Sequence, residues 1–335
     1  VGSTTSEVVF DDLALGYYLV DSSAGALCSL DTTNNQVDIK EKNGVPSVEK
    51  KVKEDSKATG APDEYGDTNT ADIGQTVNFK TTITAQAGAE KYVLHDTMSA
   101  GLTFDSSSVE VNLLKDGETT PRLVAATTNY TVKSSSLPDG CTFEIEFNQT
   151  FCDTLAANDK IIVTYSATLN ENAAIGGTTG NTNNTHLSYG ENKNTTEVGT
   201  TTKTYEIPVF KYTNKPAADT PLAGAIFKLS TDRDPANLSS KEIKLVKLTS
   251  SPSGDDVYRV AKSGDTGTVT TITTPATGKF TIQGLDADTY YLHETKQPDG
   301  YNKLKDPVTV VIAEDGKITV GTDPAQVNEV KVLNN

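Results

Sequence analysis

Apolar and polar residues alternate with a period of two along most of this chain, and a helical period of 3.6 persists nowhere beyond a turn or two. Successive side chains of a strand point to opposite faces, so the pattern predicts half-buried strands. It is carried by residues 76–84, 92–97, 108–114, 142–147 and 160–169, separated by Asn, Gly and Ser clusters that read as turns. A second set begins at Tyr205 and includes 225–229, 257–261, 278–282, 289–294, 308–313 and 327–333. A polar, Thr- and Asn-rich stretch, 190–204, joins the two sets. Short strands at this spacing predict an all-β protein of tandem immunoglobulin-like sandwiches, 45–204 and 205–335. Residues 1–44 read as the C-terminal part of a further domain. Their run from Phe10 to Asp21 echoes 282–294: both show an apolar residue, two others, Leu, a turn, Tyr-Tyr-Leu, one residue and an acid. Forty residues cannot bury a core alone, so this part is expected to pack on the next domain or to be poorly ordered.

Composition narrows the class. Thr- and Val-rich segments favour strands, and the 335 residues carry a net charge of −16, which argues against nucleic acid and anionic lipid as partners. No 18-residue apolar run is present, so no membrane insertion is expected. Three cysteines occur, Cys28, Cys141 and Cys152, without a Cys-x-x-Cys or a Cys/His box, so no metal site and no cofactor are expected. An oxidising setting allows one disulfide, Cys141–Cys152, flanking the strand at 142–147; three free thiols are the alternative. The acidic run Asp63-Glu64-Tyr65-Gly66-Asp67 lacks a complete calcium loop and reads as solvated. No Ser/His/Asp order or phosphate loop accompanies the three histidines.

The alternation also carries ionisable side chains inward. Val209 and Lys211 share a face, as do Leu292 and Glu294. In the first sandwich Val48, Lys50 and Val52 share a face, and so do Leu94 and Asp96. A buried lysine drifts toward the neutral amine, which is a nucleophile, and a buried carboxyl drifts toward the neutral acid. Beside an Asn carboxamide, such a pair can form an amide and expel ammonia.

The run Tyr290-Tyr291-Leu292-His293-Glu294-Thr295-Lys296-Gln297-Pro298-Asp299-Gly300-Tyr301 resembles the E-box of Gram-positive surface pilins, with Gln297 where Ala is usual. Leu222-Ala223-Gly224-Ala225-Ile226-Phe227-Lys228-Leu229 is similar to the signature of their Cna B-type domains. The stretches 92–104 and 180–189 resemble the middle, Cna A-type sandwich of backbone pilins. The resemblance implies two intramolecular Lys–Asn isopeptide bonds, assisted by Asp96 and Glu294. Lys211 would join Asn334, with Asn335 a rival; Lys50 would join Asn183, with Asn181 of the same parity a rival. The loops closed would span 334 − 211 = 123 and 183 − 50 = 133 residues.

The run Val37-Asp38-Ile39-Lys40-Glu41-Lys42-Asn43 is partly similar to the pilin motif that supplies the polymerisation lysine, with Lys40 and Glu41 where Tyr and Pro are usual. This implies Lys42 as the acceptor for a class C sortase, with Lys40 as rival. The implied protein is no enzyme beyond its self-directed chemistry. It is the shaft subunit of a covalent, secreted, cell-wall-anchored pilus, with neighbouring subunits, the sortase, minor pilins and the host surface as partners. A surface adhesin or minor pilin built of the same domains is the alternative.

Overall fold

A computed structural model describes residues 10–20, 26–33, 36–37, 45–55, 64–176, 179–191, 193–248 and 251–335. Among the described residues nearly all regular secondary structure is strand; the helical pieces, such as Gln149–Cys152 and Leu238–Lys241, are single turns. Lys42 and Lys40 lie outside the described residues.

The middle sandwich has two sheets. One runs Glu64–Gly66, Ser47–Glu54, Thr76–Thr84, Lys160–Leu169, Leu102–Leu114 and Arg122–Leu123; the other runs Tyr130–Lys133, Phe143–Phe147, Val93–Met98, Asn181–Tyr189, Val198–Lys203 and Thr68–Thr70. Inward faces alternate as the sequence predicts: Val77, Phe79, Thr81 and Ile83 are buried on one strand, Ile161, Val163, Tyr165, Ala167 and Leu169 on its neighbour. An aromatic cluster of Phe79, Phe104, Phe143 and Tyr165 fills the space between the sheets.

Two features differ from the sequence expectation. The polar stretch 190–204 contains a strand, Val198–Lys203, which sits in the second sheet between Asn181–Tyr189 and Thr68–Thr70 and buries Thr200 and Thr202. The three cysteines are free thiols. Cys141 precedes the strand Phe143–Phe147 and Cys152 follows it. The five residues of strand span about 13 Å between their end Cα atoms, whereas a disulfide needs Cα atoms within about 7 Å. Burial pushes the Cys141 thiol up to about 12 and the Cys152 thiol up to about 11, so neither is a ready nucleophile.

The last sandwich pairs a sheet of Tyr205–Thr213, Lys279–Leu285, Asp256–Val260 and Leu245–Lys247 with one of Ile226–Ser230, Thr289–Lys296, Val308–Ile312, Ile318–Val320 and Asp323–Val327. Its final strand, Val330–Leu333, lies parallel to its first, Tyr205–Thr213, with Lys211 opposite Val332. The two sandwiches meet closely. The Ile73 amide donates to Gly284 O at 2.9 Å, and the Asp286 amide donates to Asp72 Oδ1 at 2.8 Å. Gly284 has φ +80, and a Cβ there would fall 2.5 Å from Ile73 Cδ1, so only glycine fits this contact.

Towards the N-terminus, Gly16–Val20 and Ala26–Leu30 form an antiparallel hairpin. Phe10, Leu15, Tyr17 and Leu19 stand exposed on and beside it, as expected of strands without a core of their own.

Candidate functional site: two buried lysine clusters

In the last sandwich, Lys211 and Glu294 side chains are both fully buried, with Lys211 Nζ 3.2 Å from Glu294 Oε1. Lys211 Nζ also donates to Asn334 Oδ1. Asn334 Nδ2 donates to the same Glu294 oxygen at 2.9 Å, and the Leu304 amide fixes the other carboxylate oxygen at 2.7 Å. One carboxylate oxygen therefore bridges the amine and the carboxamide nitrogen. The Phe227 ring lies 5.5 Å from Nζ. Burial holds the Lys211 ammonium below its ordinary value, against the pull of Glu294. Asn334 directly follows Val330–Leu333, and its amide donates to Tyr212 O, so the strand ladder carries its side chain beside Lys211. Asn335 is exposed and touches Asn302 through its carbonyl.

In the middle sandwich, Lys50 Nζ donates to Asp96 Oδ2 at 2.5 Å, and both side chains are fully buried. Asn183 is fully buried on the strand next to that of Asp96. Asn181 is also buried, but its side chain is spent on backbone: Oδ1 accepts from the Ala174 amide, and Nδ2 donates to Ala174 O and Thr202 O.

A fourth group completes this cluster, and sequence reasoning missed it. Tyr165 Oη accepts from Lys50 Nζ, donates to Asp96 Oδ2 at 2.5 Å and accepts from Asn183 Nδ2 at 3.3 Å. The phenol thus uses its one hydrogen and both lone pairs. The signal was available: Tyr165 has the parity of Ile161, Val163, Ala167 and Leu169, and an inward phenol needs a partner.

Burial lowers Lys50 and raises Asp96, each against the attraction of the other, so the pair is drawn toward neutral amine and neutral acid. Burial, then the charge of Asp96, pushes Tyr165 well above the ordinary tyrosine value, keeping it a phenol. Asp96 Oδ1 and Asn183 Oδ1 have no hydrogen-bond partner among the described residues. Buried acceptors left open cost about 1–3 kcal/mol each. A proton on Asp96 supplies the donor that this cluster lacks.

Residues 73–193 match the family described as Gram-positive pilin backbone subunit 2, Cna-B-like domain. Residues 209–325 match the SpaA prealbumin-like fold domain. The middle domain's description is thus Cna-B-like, where the sequence reading took an A-type. No curated protein matches the sequence. Among solved structures, the 35 kDa C-terminal fragment of the major pilin GBS80 of Streptococcus agalactiae is similar at 20% identity, covering 87% of this chain and 100% of that one, with a TM-score of 0.58. The full-length major pilin RrgB of Streptococcus pneumoniae is similar at 16% identity, over 92% of this chain and 78% of that one, with a TM-score of 0.58. The group B streptococcus pilus 2b backbone protein is similar at 22% identity, over 79% and 95%, with a TM-score of 0.56. At these identities the structures speak for the fold, and the two family matches carry the assignment. Residues 73–193 thus match a Gram-positive pilin-backbone domain and residues 209–325 a SpaA prealbumin-like domain, and the two matches together support a backbone pilin.

Proposed function

We propose that this protein is the structural subunit of an extracellular pilus shaft, and that each sandwich is locked by one self-formed Lys–Asn amide. The observation that supports this best is the single Glu294 oxygen in contact with both Lys211 Nζ and Asn334 Nδ2. In the last sandwich the Lys211 amine attacks Asn334 Cγ. A C–N bond forms to Nζ and the Cγ–Nδ2 bond breaks. Glu294 takes the proton shed by the amine and passes it to Nδ2, which leaves as ammonia. In the middle sandwich Lys50 attacks Asn183 Cγ in the same way. Asp96 starts there as the neutral acid: it gives its proton towards the carboxamide, with Tyr165, in contact with both Asp96 and Asn183 Nδ2, relaying it to the leaving nitrogen, and it then takes up the proton shed by the amine. No external reagent is consumed, and each site reacts once.

Assembly requires a different lysine. A sortase must bring its thioacyl intermediate to an accessible amine, which excludes the fully buried Lys50 and Lys211. The motif similarity assigns that role to Lys42. Expression of Lys42→Ala and Lys40→Ala subunits in the native host tests it. High-mass ladders vanish for Lys42→Ala and persist for Lys40→Ala on this reading. The reverse pattern moves the acceptor to Lys40, and ladders from both variants refute it.

A further inference from the structure

The strand Val93–Met98 presents Asp96 to the interior and His95 to the outer face of the same sheet. Strand pairing sets Glu144 directly opposite His95, and the turn Asp139-Gly140-Cys141 folds over the pair. The Asp139 carboxylate accepts the Cys141 amide at 3.1 Å, which holds that turn in shape. As a result one nitrogen, one sulfur and two carboxylate oxygens, from His95, Cys141, Asp139 and Glu144, lie within 4.8 Å of one another. His95 Nδ1 is 2.8 Å from Asp139 Oδ2 and 3.4 Å from Glu144 Oε1.

The other side of the imidazole is already committed. Ser188 Oγ donates to Asn194 Oδ1 at 2.7 Å, so at 2.9 Å from His95 Nε2 it acts as acceptor. This places a proton on Nε2 and turns Nδ1 toward two carboxylates and a thiol. An imidazole lone pair facing two carboxylate oxygens is repulsive. The arrangement therefore calls for a cation between them, either a second ring proton or a metal ion. A partner that fixes the far ring nitrogen is the usual support of a metal-binding histidine. The His186 ring, stacked on His95 at 4.7 Å with an interplanar angle of 4°, braces the ligand ring from the neighbouring strand.

We propose that His95, Asp139, Cys141 and Glu144 form a divalent transition-metal site on the outer face of the middle sandwich, with zinc as its ion. A tetrahedral zinc with bonds of about 2.0–2.3 Å needs ligand atoms roughly 3.3–3.8 Å apart, so this cluster closes on it with shifts of about 1 Å. The mixed nitrogen, sulfur and oxygen set selects zinc over calcium or magnesium, which take oxygen alone. Binding requires the Cys141 thiolate, so the thiol proton is released to solvent as the Zn–S bond forms. Sequence spacing hides the site, because 46 residues separate His95 from Cys141 (141 − 95 = 46) and strand pairing brings them together.

The test is titration of the whole purified chain with Co²⁺ and then Zn²⁺. Expected are one equivalent of Co²⁺ with a thiolate-to-cobalt charge-transfer band, and displacement of that band by Zn²⁺. Cys141→Ser abolishes the band and weakens Zn²⁺ binding by at least about 100-fold, while Ser188→Ala weakens it by about 10-fold. Cys28→Ser leaves both unchanged. Circular dichroism of each variant confirms that it is folded, and His95→Gln serves as a second ligand variant if Cys141→Ser is not. Absence of the band in the parent, or its survival in folded Cys141→Ser, overturns the proposal.

Discussion

The two lysine clusters use the same three kinds of side chain in different architectures. In the last sandwich Lys211 and Asn334 sit on adjacent parallel strands of one sheet, and Glu294 reaches across from the other sheet. In the middle sandwich Lys50 lies on one sheet while Asp96 and Asn183 lie on neighbouring strands of the other, two positions apart in register. The proposed last-domain bond therefore ties the first strand to the last, and the proposed middle bond ties one sheet to the other. Proton traffic differs too. A single Glu294 oxygen spans amine and carboxamide, whereas in the middle sandwich Tyr165 Oη contacts Lys50, Asp96 and Asn183 together.

The largest effect expected from breaking either link is thermal. By analogy with disulfides, closing a loop of this size removes about 4.7 kcal/mol of unfolded-state entropy. Lys211→Ala and Lys50→Ala should each lower the melting temperature of their own sandwich by roughly 10–20 °C in calorimetry. The mechanical response should separate them. Asn183 is followed by 203 − 183 = 20 residues before the middle sandwich ends, so about 70 Å of chain can still be pulled free there. In the last sandwich the link falls next to the final strand, and single-molecule extension should show no comparable step. Equal extensions would remove the architectural distinction.

Next in size is the effect of the phenol. Tyr165→Phe keeps the ring packed against Phe79 and Phe143 but deletes the hydroxyl that joins Lys50, Asp96 and Asn183. Bond formation in the middle sandwich should slow by about 10²-fold while the last sandwich reacts as before. The measurement is the time course of each mass loss in freshly purified protein. Unchanged kinetics in the middle sandwich would reduce Tyr165 to packing.

The smallest effect lies at the joint between the two sandwiches. Burial pushes Asp72 up to about 7; the Asp286 amide opposes this, and the like charges of Asp286 and Asp288 reinforce it. The folded state then holds a proton that the unfolded chain loses near pH 4. Stability from this group is present at low pH and declines as pH rises from about 4 to 7. Asp72→Asn should flatten that decline and stabilise the joint at pH 8 by about 1–2 kcal/mol, allowing for solvent screening. Denaturant titrations at pH 5 and pH 8 read the difference.

Much of this was legible from alternation alone. Parity placed Lys50, Asp96, Lys211 and Glu294 inward, and 76–84 and 160–169 coincide with observed strands. Parity could not separate Asn183 from Asn181, because both point inward; the backbone contacts of Asn181 separate them. The strand Val198–Lys203 was read as linker because its inward residues are threonines, whose hydroxyls mask burial. Tyr165 stayed hidden because a tyrosine in a strand reads as core. The cluster around His95 was hidden because its members meet only through strand register.

The most direct test of the central claim is the intact mass of the purified chain. Each amide formed by amine attack on a carboxamide expels one ammonia, about 17 Da. The parent should weigh about 34 Da less than its sequence, and Glu294→Ala or Asp96→Ala should each restore about 17 Da after correction for the substitution, with the remaining loss mapping to the other sandwich. A parent mass equal to the unmodified sequence would contradict the account.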